Sequence, residues 1–326
     1  MMFKFFSLVI VLCLLFFIEI TNASQYLEIP WSNTYYGPDG PWQAVSVAIG
    51  GSEAERSNIS QCQSTVDLLP GGFWSSNVLS EGACASEVHQ CGTGQPWTPN
   101  SKTNTDWKTT WTDLSQGLES RTSFVYPLAM TINQQTIYNV SLAAVTNVSV
   151  KSPNGEPHLP VLGSLALGND LDEMQRLTAV GGKDAVDTPT WTFAGGAFHR
   201  KIIPSYSYGL HIGSAAFNYA GSLVFGGYDK ARVLGPYTTF TDPPTLLDIG
   251  IGVEIGESPF VFNNKSGLLL SKNNRYEQIT VIPDPQTPYL SLPTETCEAI
   301  IEELPIFYDS NTKYYLWDRN DPRYEK

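Results

Sequence analysis

Hydrophobic and polar positions alternate along much of this chain with a period of two, the spacing of a strand with one buried face. The clearest run is Trp42-Gln43-Ala44-Val45-Ser46-Val47-Ala48-Ile49, closed by Gly50-Gly51 and preceded by an opening strand within residues 25–60. A second alternating stretch, Ile132 to Val150, divides into two strands around Gln134-Gln135. Leu246 to Ile255 reads as another strand-like run. Leu171 to Val180 is expected to form a short helix. Sustained helical periodicity is otherwise nearly absent, while glycine and proline are plentiful. The pattern therefore predicts a mainly β protein of many short strands joined by turns. Gly250-x-Gly252 lacks the spacing and the following helix of a nucleotide-binding fingerprint, so a strand is the better reading there.

The amino terminus changes the picture. Lys4 precedes an unbroken apolar run from Phe5 to Ile18, with small residues at Thr21 and Ala23. This is the pattern of a secretory leader cleaved after Ala23, and the run is short for a membrane span. No later stretch approaches transmembrane length, so the expected product is secreted, with no membrane segment in the mature chain. Cleavage removes Cys13 and leaves Cys62, Cys84, Cys91 and Cys297 as disulfide candidates with three possible connectivities. Asn58, Asn139, Asn147 and Asn264 each head an Asn-x-Ser sequon, candidate glycosylation sites in a secreted protein. Residues 81–112, rich in Ser, Thr, Gly, Asn and Trp, read as surface loops tied by cysteines.

Candidate chemistry is narrower still. A net charge of −13 argues against a nucleic-acid partner. His89, His158, His199 and His211 show no metal-ligand spacing, and neither a Gly-x-Ser-x-Gly elbow nor a phosphate-binding loop is present. No cofactor is expected. Two strings remain. One is Ala220-Gly221-Ser222-Leu223-Val224-Phe225-Gly226-Gly227-Tyr228-Asp229, followed by Arg232 to Pro236. The other is Thr280-Val281-Ile282-Pro283-Asp284-Pro285-Gln286-Thr287-Pro288-Tyr289-Leu290-Ser291-Leu292-Pro293. An apolar strand that runs into an isolated aspartate is costly unless something satisfies or uses the charge.

Together these strings resemble the carboxy-terminal lobe of pepsin-like aspartic peptidases, with their Gly-x-Leu-x-Phe-Gly-Gly-x-Asp strand and turn and a later catalytic aspartate loop leading to Leu-Pro. Leu159 to Gly168 resembles the family's strand behind the first catalytic loop. The resemblance implies a bilobal pepsin-like fold, an amino-terminal lobe over 24–203 and a carboxy-terminal lobe over 204–326. It also implies a peptide or protein ligand in the cleft between the lobes. Only 42 residues follow Asp284, so the second lobe is expected to be incomplete. The family's acid proteolysis needs one carboxylate from each lobe, the pair sharing a proton. Asp284 matches the second-lobe position.

For the first lobe two alignments stand open. One matches Asp67 to the catalytic aspartate; the other makes Val66 to Leu69 a strand and Pro70-Gly71-Gly72 the loop, leaving Asp67 a strand residue. Around both aspartates the family's threonine and glycine are replaced, by Pro285 and Gln286 beside Asp284 and by Leu68 and Leu69 beside Asp67. Pro285 has neither hydroxyl nor backbone N–H, and Gln286 is larger than the glycine it replaces. The functional expectation is a peptidase homologue with weak or no proteolysis and a cleft that binds peptide. The alternative is an active endopeptidase using Asp67 and Asp284.

Overall fold

The computed structural model describes residues 25–36, 42–71, 75–84, 96–97, 108–109, 112–113, 118–158, 160–168, 174–177, 188–213, 219–233, 238–239, 244–253, 258, 260–273, 275–276, 278–281, 285 and 289–324. These residues fall into two units. The first draws on 1–111, 120–147 and 161–233; the second draws on 112–119, 148–160 and 234–326.

Both units are mainly β, as the alternation predicts. The first opens with β1 (Leu27–Ile29), β2 (Trp31–Tyr36) and β3 (Trp42–Ile49). In β3 the period of two is visible as burial: Val45, Val47 and Ile49 are at most 1 % exposed, while Ser46 and Ala48 are half-buried. Gly50 and Gly51 end the strand at φ 123° and 73°, a backbone that other residues rarely adopt. Next come β4 (Ser64–Pro70) and β5 (Ser76–Leu79), with β6 (Lys108–Thr109). The two-residue β7 (Thr112–Asp113) belongs to the second unit and pairs with the 118–119 end of β8 (Leu118–Ile132).

The stretch from Ile132 to Val150 holds one strand and a turn where two strands are expected, because the first arm of the hairpin lies upstream and ends at Ile132. β8 turns at Asn133 and Gln134, both at positive φ, into β9 (Gln135–Lys151). Two central residues with φ above zero match the right-handed twist of the strands they join. Asn133 Nδ2 also donates to Glu28 O at 3.1 Å and so ties the turn to β1. Beyond β10 (Pro157–His158), which pairs with the end of β9, lie β11 (Gly163–Leu165), β12 (Met174–Leu177) and β13 (Thr188–Trp191).

The expected helix over Leu171–Val180 is not what the structure shows. Its described part is β12, which pairs antiparallel with β13 from Met174↔Trp191 to Leu177↔Thr188. The partner strand supplies backbone hydrogen bonds that a weak local helix preference cannot match.

β14 (Tyr208–His211) and β15 (Ser222–Phe225) form a three-stranded sheet with β1, in the order β1-β15-β14. Leu223 and Phe225 are fully buried there, and Gly226 turns the chain at φ 75°. Phe225 packs against Phe193 of the helix Phe193–His199, their ring centroids 5.8 Å apart. Thr192 caps that helix by accepting from Gly195 N at 3.0 Å.

The larger sheet of the first unit runs in the order β12-β13-β9-β5-β11-β4-β3-β8-β6. At its centre β11 lies between β4, to which it is parallel, and β5, to which it is antiparallel. Gly163 makes this insertion possible: a Cβ there would fall inside the contact radius of Asn77 O and 2.8 Å from Val78 Cα.

In the second unit Thr245–Leu246 (β16) pairs with Ile279–Thr280 (β19), and Leu270–Ser271 (β17) with Arg275–Tyr276 (β18). Among the described residues of the strand expected over Leu246–Ile255, which end at Val253, only the end of β16 and an isolated bridge between Ile251 and Lys265 are seen. Asp248 explains the break. Its carboxylate accepts from Ile249 N at 2.7 Å and Gly267 N at 2.8 Å, partners a continuing ladder would otherwise supply. The helix Thr294–Glu303 starts after Pro293, and Thr296 Oγ1 meets both N and O of Leu270, at 2.9 and 2.8 Å. A hairpin of β20 (Ile306–Asp309) and β21 (Tyr314–Trp317) follows, with Phe260 stacked on Trp317 at 4.3 Å. Among the described residues no helix is long and apolar enough to cross a membrane.

The close approach at Gly163 yields a direct test. Gly163→Ala should destabilise the first unit by about 1–3 kcal/mol, the usual cost of overpacking a tight site, because backbone and not a flexible side chain stands in the way. Urea denaturation against wild type measures it, and an unchanged midpoint would mean that β11 does not pass so close to β5.

Candidate functional site

β4 decides the surroundings of Asp67. Val66, Leu68 and Pro70 point into the core, whereas Thr65, Asp67 and Leu69 take the opposite face, Thr65 exposed and the other two half-buried. Asp67 sits opposite Ser46 of β3, three residues before the strand ends at Pro70. It is therefore a mid-strand residue. The chain then reaches Gly71, whose N–H donates to Leu165 O of β11 at 2.9 Å.

One oxygen of the Asp67 carboxylate is engaged by two hydroxyls. Its Oδ2 accepts from Ser32 Oγ at 2.5 Å and from Tyr36 OH at 2.5 Å. Both hydroxyls come from β2, which pairs with β3 as β4 does. The three side chains thus meet across one strand. Bonds to a charged acceptor are short and roughly twice as strong as neutral ones. Tyr36 is buried, and its phenol is pushed up to about 12, first by burial and then by the hydrogen bond and charge of Asp67. Ser32 and Tyr36 carry no motif in the sequence; the one hint of them is their place in the strand before the Trp42–Ile49 run.

Neutral polar groups fill the interior where β4, β11, β5 and β9 come together. Asn77 Nδ2 donates to Ser164 Oγ, Ala166 N to Ser76 Oγ at 3.1 Å, and Ser75 and Ser141 share a bond of 2.6 Å between their Oγ atoms. Each such group must be paired when buried, and these largely pair with one another.

Asp284 lies outside the described residues, as does Cys91. Of its neighbours Pro285 is described, in a turn. Asn58 and Asn264 are exposed, Asn139 is half-buried, and the side chain of Asn147 lies outside the described set, as does that of Cys84. Cys62 Sγ is 3.6 Å from Glu55 Oε1. Cys297 is half-buried, its Sγ 3.9 Å from Leu292 O, and burial pushes its thiol up. His211 Nδ1 accepts from Gly213 N at 3.0 Å, and the His199 ring lies 4.2 Å from that of Trp191. Among the described residues no three His, Cys, Asp or Glu side chains converge as metal ligands would.

No family model matches the chain, and no curated protein matches it. Among solved structures it is similar to the aspartic proteinase from Irpex lacteus, at 15 % identity and a TM-score of 0.44, over 89 % of this chain and 72 % of that one. The β4–β11–β5 arrangement and the partners of Asp67 stand independently of that likeness.

A buried tyrosine tied to a carboxylate should titrate late. The difference in ultraviolet absorbance between wild type and Tyr36→Phe should show ionisation near 12, and Asp67→Asn should lower that value, leaving it above 10 because burial persists. A folded pKa raised above the unfolded one stabilises the fold up to about pH 10, and this contribution is lost as pH rises through about 12. Ionisation of Tyr36 near 10 in folded protein would contradict the arrangement.

Proposed function

We propose that this chain is a secreted, pepsin-like binding protein that takes extended peptide as its ligand and does not hydrolyse it through Asp67 and Asp284. One observation carries the reading: Asp67 lies within β4, before its end at Pro70, with its carboxylate accepting from Ser32 and Tyr36. A general base must present a lone pair to the water it activates and must lie within hydrogen-bond reach of it. Oδ2, which already accepts two hydroxyl hydrogen bonds, is a poor base, and a strand interior is a poor place from which to approach a second carboxylate. Pro70 and Gly71, at the strand's end, supply no ionisable group. The Gly221–Asp229 and Thr280–Pro293 strings support the pepsin-like character, and Pro285 and Gln286 beside Asp284 support the loss of proteolysis. Secretion is supported by the leader pattern of residues 1–23.

The test is proteolysis of an unfolded protein substrate between pH 3 and 7 by wild type, Asp67→Asn and Asp284→Ala. The reading expects no cleavage by any of the three, together with saturable binding of unfolded peptide by wild type. Acid cleavage that disappears in both variants while each remains folded would establish an Asp67/Asp284 dyad and overturn it.

A further inference from the structure

The four Asn-x-Ser sequons that follow the leader are alike in sequence, and those whose side chains are described are unlike in the fold. Asn58 ends the 3-10 turn Glu53–Asn58, and both Asn58 and Ser60 are exposed. Asn264 and Ser266 of the second unit are exposed as well, and Lys265 between them engages Ile251 through its backbone at 2.7 and 2.9 Å. In both places the acceptor amide and the hydroxyl two residues on face outward.

Asn139 is different. It occupies φ 59° inside β9 with its side chain half-buried, and Val140 and Ser141 after it are completely buried. Val140 sits opposite Trp191 of β13, and Ser141 Oγ is bound to Ser75 Oγ at 2.6 Å. On the residue before it, Arg56 and Arg200 both lie over the Tyr138 ring, 5.1 and 5.3 Å from its centroid. The sequon hydroxyl and its surroundings are thus taken up by the fold.

We infer that Asn58 and Asn264 carry N-linked glycans in the mature protein and that Asn139 is bare. In the transfer, the amide nitrogen attacks the anomeric carbon of an oligosaccharide held on a lipid diphosphate. A C–N bond forms as the anomeric C–O bond breaks, the lipid diphosphate leaves, and the amide gives up one proton. A large hydrated glycan at an exposed asparagine leaves the fold untouched. At Asn139 it would crowd strands that must close over Val140 and Ser141, so chains modified there do not reach the folded state. The inference rests on the leader reading of residues 1–23 and is independent of peptide binding.

The experiment expresses the full chain from Met1 in a eukaryotic secretory host and recovers folded protein from the medium. Glycans are released by an amidase in ¹⁸O water, which converts each occupied Asn to labelled Asp, and the peptides are mapped. Label is expected at 58 and 264 and absent at 139. Ser60→Ala and Ser266→Ala should each abolish label at the asparagine two residues earlier, while Ser60→Thr should keep it. Unlabelled Asn58 or Asn264, or labelled Asn139 in folded protein, would overturn the inference. Protein confined to the cell with residues 1–23 still attached would overturn it through its premise and leave the peptide-binding reading to its own assay.

Discussion

The first unit depends on the insertion of one strand between two others. β11 enters between β4 and β5 and pairs with both, and it can do so because Gly163 presents no side chain to the Asn77 carbonyl. The side chains of Ser76, Asn77, Ser141 and Ser164 are buried there. Buried polar groups need hydrogen-bond partners, which Asn77, Ser164, Ser76, Ser75 and Ser141 find within the protein in large part. The insertion also fixes the register of β4, and with it which residues face the core. Val66 and Leu68 are buried, so Asp67 between them is placed on the other face. A one-residue slip would bury the carboxylate and expose both apolar side chains.

Having been placed there, Asp67 is used. Its oxygen gathers two hydroxyls from β2, a strand whose register against β3 is irregular between Trp31 and Tyr35. The pairing sequesters the Tyr36 phenol in its neutral form and anchors the opening strands over the sheet. A carboxylate of this kind is engaged by hydroxyls of its own fold. Its neighbours determine what it does.

Local rules made much of the fold legible. Alternation located β3 and β9, with the turn before β9 one residue earlier than expected and its first arm, β8, upstream of the expected strand, and the string around Gly226 marked a strand and turn. Reading failed where long-range partners overrule local preference. Met174–Leu177 is a strand because β13 lies beside it, and the run after Leu246 breaks because Asp248 captures backbone N–H groups up to nineteen residues away. The site was half legible for the same reason. The sequence left Asp67 open between two roles, since its partners lie 35 and 31 residues upstream and bear no motif. Spacing along a chain does not tell which side chains meet across three strands.

The central claim is that Asp67 is a structural tie, and a double-mutant cycle with Tyr36 tests it most directly. Tyr36→Phe, Asp67→Ala and the double variant would be compared with wild type by urea denaturation at pH 7. If the two groups hold each other, the double variant loses less than the two single losses combined, with a coupling of about 0.5–3 kcal/mol. Losses that simply add would contradict the claim and leave Asp67 free for another role.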